Sequence, residues 1–357
     1  MSQLLSSLSL GQSNAKNRIF LAPLTNCQSH ADGTLSDDEY HWLTMRAKGG
    51  FAMTMTCAAH VQAVGQGFPG QLGIFSDAHL PGLTRLAKGI TAEQSLAIVQ
   101  LHHAGMRTPQ DLVEETIVCP SDNAKFGARG LSLEEVQQLV EDFIAAAERA
   151  EKAGFDGVEL HGAHGYILCQ FLSPSLNQRS DQYGGSAENR ARIIHEIIRG
   201  IRARCSPEFV LGLRLSPERF DVQLAEIKQL AEVLMTGGQI DFLDMSLWDV
   251  FKEPNEEAHQ GQSLASHFTA LERGNCRLGF AGKINTPDDA QRCLAMGVDF
   301  IMLGRAAILH HDFPQQLDRN PDFEPASNPV TAEHLRREGL SDTFITYMRG
   351  WKGFVAP

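Results

Sequence analysis

Two hydrophobic rhythms alternate along the chain. Short, nearly unbroken apolar runs (IFLAPL, FAMTMT, LAIVQL, FDGVEL, FVLGLRL, IDFLDM, RLGFA and VDFIML) each end on polar residues. Runs of this length, rich in branched side chains, read as strands buried on both faces. Between them lie stretches with apolar positions three and four apart, the period of an amphipathic helix. Val136, Leu139, Val140 and Phe143 follow a capping box at Ser132 and Glu135, and Gly154 closes that segment. Ile193, Ile194, Ile197, Ile198 and Ile201 share one helical face, as do Leu224, Ile227, Leu230 and Leu234. Thr286, Pro287 and Asp288 supply a cap, a first-turn proline and an acid for another helix, which stops at Gly297. Eight strand–helix units with no polar linker between them predict a (β/α)8 TIM barrel in one domain spanning residues 1–357. Residues 103–130 lack periodicity and are expected to run over the barrel mouth, and residues 331–357 form a tail.

In such a barrel the chemistry gathers at the carboxyl ends of the strands. Those ends carry Pro23 and Thr25, Cys57, Gln100, His161 with His164, Arg214, Ser246, Gly282 with Lys283, and Gly304 with Arg305. The last two pairs each put a glycine after a strand and a cation beside it, which suits a phosphate group. Arg214 within LGLRLSP requires an anionic or multiply accepting partner. Gln100 can donate and accept at once, which suits the edge of a heterocycle. His161 and His164 leave three readings open. They are a catalytic donor pair working with Tyr166, a structural bridge, or, with Glu159 on the same strand face, part of a metal site.

Composition narrows the class. The chain has 31 basic and 43 acidic residues, a formal charge of −12, which argues against nucleic acid or an anionic membrane as the main partner. No stretch reads as a signal peptide or a transmembrane span. Seven scattered cysteines without C-x-x-C spacing argue against disulfide, zinc or iron–sulfur frameworks and point to a reducing cytoplasm.

The stretches NRIFLAPLT, PGQLGIFSDAHLPGLTRL, VQLHHAGMR and GFDGVELHGAHGYILCQFLSPSLNQRSDQYGGSAENR, with GKI and MLGR later on, resemble the Old Yellow Enzyme family of flavin-dependent ene-reductases over essentially the whole chain. The resemblance implies non-covalent FMN with NADPH or NADH as reductant, and an activated alkene as substrate. It places Ala22, Pro23, Leu24 and Thr25 along the flavin and Cys57 beside it. Gln100 falls at its pyrimidine edge, Arg214 near N1, and Gly282, Lys283, Gly304 and Arg305 at the phosphate. His161 and His164 correspond to the pair that holds the substrate carbonyl, and Tyr166 to the proton donor. Cys27 stands where a substrate-orienting tyrosine is expected. Arg349 in YMRGW resembles a tail arginine that reaches a neighbouring subunit's site, which implies a homo-oligomer. Within the same resemblance, an amine dehydrogenase or demethylase and a non-catalytic flavin redox sensor remain as alternatives. A flavin-free phosphate-binding lyase or isomerase lacks an evident catalytic lysine at the ends of strands five and six.

Overall fold

The computed structural model describes residues 3–357. Eight parallel strands close a barrel: β1 (Ile19–Leu21), β2 (Met53–His60), β3 (Leu96–His102), β4 (Gly157–Gly162), β5 (Val210–Leu215), β6 (Phe242–Ser246), β7 (Arg277–Ala281) and β8 (Phe300–Leu303). Each pairs with its neighbours in sequence, and β8 pairs with β1 to complete the ring. These are the eight runs expected from the apolar pattern. The main outer helices are α1 (Asp37–Lys48), α2 (Leu80–Thr91), α3 (Leu133–Lys152), α4 (Ala187–Arg204), α5 (Leu224–Thr236) and α6 (Pro287–Ala295). Between β6 and β7 stand a single 3-10 turn, Glu257–His259, and the short helix Ser266–Thr269.

The helix boundaries follow from their caps. Ser132 Oγ accepts from the Glu135 amide and Glu135 Oε2 accepts from the Ser132 amide, so α3 starts on reciprocal bonds. Arg129 binds both carboxylate oxygens of Glu135 at 2.8 Å. The burial of Val136, Leu139, Val140 and Phe143 places the apolar stripe of α3 against the barrel.

Inside the ring, Phe20 stacks on Phe300 at 4.6 Å, and Phe242 meets Phe300 edge-on at 5.9 Å. A hairpin of Leu8–Leu10 and Ser13–Ala15 closes the amino end, with Leu8, Leu10 and Ala15 joining that cluster. Nothing in the apolar rhythm had announced this plug.

At the other end lies the mouth. Residues 103–130 form single helical turns and a two-stranded parallel ladder, Val118–Cys119 with Arg129–Gly130, around a small core of Met106, Ile117, Cys119 and Ala128. Arg107 of this segment reaches the His164 carbonyl. The tail helix α7 (Asp342–Arg349) adds Tyr347 and Met348 to the mouth. Phe344 packs edge-on against Trp42 at 4.9 Å, and Ser341 Oγ donates to Gln28 Oε1 at 2.6 Å. Beyond α7 the Phe354 carbonyl accepts from the Val330 amide at 3.0 Å, which ties the last residues to the segment ahead of α7.

Candidate active site

The strand ends open into two adjoining cavities of about 700 and 970 Å³. The first is lined by Pro23, Leu24, Thr25, Gln100, His161, His164, Tyr166 and Arg214, the second by Ala22, Gly282, Lys283, Gly304 and Arg305, with Arg214 and His164 shared. An apolar groove of about 570 Å³ between α4 and α5 has no such convergence of polar groups, so it is not the candidate site.

Cys57 departs from expectation. The β2–β3 register runs Met55 with Ile98 and then Ala58 with Gln100, so β2 carries one extra residue there. That bulge directs Cys57 outward, where its Sγ donates to Glu39 Oε1 at 3.1 Å, and puts Ala58 at the cavity wall. Cys27 and Arg349 line neither cavity; Arg349 is exposed. The tail instead contributes Tyr347, Met348 and Trp351. Tyr347 is near Thr25, Cys27 and Tyr166. Sequence reasoning missed Tyr347 and Trp351, although both lie in the YMRGW motif.

The two histidines form a directional chain. The Ala163 amide donates to His161 Nδ1 at 3.3 Å, which leaves the ring hydrogen on Nε2. His161 Nε2 meets His164 Nδ1 at 3.2 Å, and His164 Nε2 meets Ser246 Oγ at 2.8 Å. Burial keeps both rings neutral: it drives His161 well below the usual range, and His164 falls to about 3 with help from Arg214 and Arg107. The turn that presents them is strained, with φ of 60° at His164 and 71° at Gly165. Arg107 donates to the His164 carbonyl and sits 5.1 Å from the Tyr166 ring. Burial raises the Tyr166 phenol above its ordinary value, with Arg107 opposing, so it keeps its proton at neutral pH. Among the described residues no cluster could hold a metal ion.

Below the histidines lies a charged layer. Gln100 Nε2 donates to Glu159 Oε1 at 2.7 Å, and Arg214 Nε approaches Asp244 Oδ2 at 2.9 Å as a charge contact rather than an aligned hydrogen bond. In the wall of the second cavity, Gly282 has φ of 149°, and a Cβ there would lie 2.9 Å from the Asp249 nitrogen. The start of α6 does not face this cavity as a free anion site, because Asp289 already accepts from the Asn285 and Thr286 amides. The cations there are Lys283, paired with Asp249 at 2.9 Å, and Arg305.

Residues 3–322 match the NADH:flavin oxidoreductase / NADH oxidase family. The chain belongs to that family. It is 37% identical over 310 residues to the probable NADH-dependent flavin oxidoreductase YqiG of Bacillus subtilis, covering 82% of this chain and 81% of that one. It is also 37% identical over 379 aligned positions to an NADPH dehydrogenase of Listeria monocytogenes, covering 99% and 100%. Longer relatives match too: the chain spans 35% of the NADH:fumarate oxidoreductase of Klebsiella pneumoniae. In structure it resembles the Old Yellow Enzyme homologue from Zymomonas mobilis, with a TM-score of 0.81, 26% identity and coverage of 96% and 99%. Morphinone reductase in complex with tetrahydroNAD gives 0.80, 25%, 96% and 97%. The protein is thus an NAD(P)H-dependent flavin oxidoreductase related to Old Yellow Enzyme, and FMN is the family's cofactor. Its residues fit that group: a buried arginine and an amide edge stand at one end of a continuous hollow, and two glycines with two cations stand at the other. No described helix is long and apolar enough to cross a membrane.

Proposed function

We propose that the protein reduces the C=C bond of α,β-unsaturated carbonyl compounds or similarly activated alkenes. FMN, once bound, supplies the hydride acceptor and donor that links NADH or NADPH to the alkene. Pro23, Leu24, Thr25 and Ala58 would form the wall along its ring system, with Ala22 beyond them. Gln100 and Arg214 would hold the polar ring edge, and Gly282, Lys283, Gly304 and Arg305 the phosphate.

The observation that carries the reading is three neutral hydrogen donors converging on one cavity: His161, His164 and Tyr166. Neutral imidazole N–H groups can bind a carbonyl oxygen and stabilise the negative charge it gains as hydride arrives at the β-carbon. His161 would exchange His164, and His164 would exchange Ser246, for that oxygen, since these are their present partners. Tyr166, kept protonated by burial, would deliver its proton to the α-carbon. The redox-sensor alternative is less well supported, because Cys27 is pushed up to about 11 and Cys57 well above its usual value by burial, then by Glu39. Neither thiol is poised as a thiolate.

The deciding experiment separates the two half-reactions. Tyr166→Phe should slow reoxidation by an enone roughly 10²- to 10⁴-fold, the usual scale for losing a general acid. Reduction by NADH or NADPH should be largely spared. Equal losses in both half-reactions would remove Tyr166 from the proton-donor role. Purified protein that neither is yellow nor takes up FMN would defeat the flavin chemistry altogether.

A further inference from the structure

Four consecutive strands, β3 to β6, place Gln100, Glu159, Arg214 and Asp244 in one layer beneath the histidines. Gln100 pairs in register with Glu159, and Arg214 with Asp244. All four side chains are buried, the two carboxyls completely. The layer therefore contains two acids and one guanidinium. Were both acids ionised, it would hold an uncompensated negative charge out of reach of water, which is costly. Asp244 has the guanidinium at 2.9 Å, whereas Glu159 has only the neutral Gln100 amide on Oε1 and no protein partner on Oε2.

We infer that Glu159 is the proton-carrying member of this layer, and that it takes up and releases that proton in step with the charge of the flavin above Arg214. This rests on the FMN reading. The groups facing Glu159 are Gln100 from β3, Arg214 from β5 and Asp244 from β6; neutral His161 lies two residues further along β4. Burial first, and then the Asp244 charge, raise the Glu159 carboxyl, with Arg214 and Gln100 opposing. The proton balance is simple. Hydride from the nicotinamide brings two electrons and one proton to the flavin and leaves one added negative charge there. That charge competes with Asp244 for Arg214, which strengthens proton binding by the layer. At alkaline pH, where Glu159 is ionised in the oxidised protein, reduction then draws up to one further proton from solvent onto its carboxylate. Reoxidation returns it. Glu159 does not touch the substrate; it is a positioning residue for charge.

The test uses FMN-loaded protein, wild type and Glu159→Gln, the isostere of the acid form. On reduction at alkaline pH, the infrared difference spectrum of the wild type should gain a protonated-carboxyl C=O band. The midpoint potential should fall with pH more steeply than in Glu159→Gln, approaching two protons per two electrons rather than one where Glu159 is fully ionised in the oxidised protein. An absent band, or equal slopes in the two proteins, overturns the inference while leaving FMN binding intact. Carboxyl ¹³C-labelling of glutamate in the wild type shifts the band if it belongs to a glutamate, so the assignment survives a variant that fails to fold. If no FMN is retained at all, the flavin reading fails and takes the coupling with it. The apoprotein spectrum then still shows whether Glu159 is protonated, against a constant contribution from buried Glu39.

Discussion

At the amino end of the barrel interior Phe242, Phe300 and Phe20 pack ring to ring; two residues further along β6 stands Asp244, and two beyond Gly212 on β5 stands Arg214. The same strands thus change, within one repeat of the strand period, from a packed hydrocarbon layer to a layer of charges with unpartnered atoms. Backbone geometry divides the same way. Of the eight non-glycine residues with positive φ among the described residues, Cys27, His164, Arg219, Phe220, Asp221, Trp248 and Lys283 follow strand ends at the mouth, and Gln94 does not. Strain and unmet polar groups persist where surrounding packing over-determines them. The lower layer supplies that packing for the polar layer and the mouth above it.

The largest expected effect tests the lower layer. Phe300→Ala removes the ring that touches both Phe20 and Phe242, at a cost of about 3–5 kcal/mol in denaturant unfolding. The folded fraction should still bind FMN in equal proportion, because Phe300 itself lines neither cavity. Overpacking should hurt less. A Cβ at Gly279 would lie 2.0 Å from Phe300 Cε2, so Gly279→Ala should cost about 1–3 kcal/mol in the same assay. A loss of FMN affinity larger than the loss of stability, in either variant, would break the division between layers.

Next comes a pH test, in which the two regions carry opposite signs. The folded carboxyl of Glu159 is raised, so its contribution to stability is full below the ordinary glutamate range and is lost as pH rises toward the folded value. In the apoprotein, Glu159→Gln should therefore gain on wild type with rising pH, by up to about 1.4 kcal/mol per pH unit. Glu135, outside the barrel, is lowered to about 2, first by Arg129 and then by the Ser132 amide. Its contribution is present above the ordinary range and lost as pH falls toward 2. Thermal melts across pH would expose a wrong sign in either case.

The barrel was readable because each strand is a contiguous apolar run and each long helix shows its period and its caps locally. The strand-end residues were readable for the same reason: Gln100, Arg214 and His161 interrupt apolar runs, and polar interruptions in a buried strand need partners. Cys57 was misplaced because a bulge shifts alternation by one residue, and composition gives no sign of it. Tyr347 and Trp351 reach the cavity only through the docking of α7 on α1, a contact far apart in sequence. Leu8 and Leu10 were two leucines in a polar terminus until the hairpin turned them into a plug. Glu159 was visible only as a candidate metal ligand beside His161; its isolation from Arg214's charge contact is a property of the folded layer.

The smallest effect asks whether the division follows depth or merely the end of the barrel. Ser132 begins α3 near the mouth end, yet it faces solvent and lines neither cavity. Ser132→Ala removes the acceptor for the Glu135 amide and should cost about 1 kcal/mol. Glu135 keeps both bonds to Arg129, which limits the damage to the first turn. FMN affinity and both half-reaction rates should stay at wild-type values. If they fell in step with stability, the mouth would be coupled as a unit to its outer helices, and function would depend on the whole upper rim. Unchanged rates would confine function to the side chains that line the cavities inside the ring.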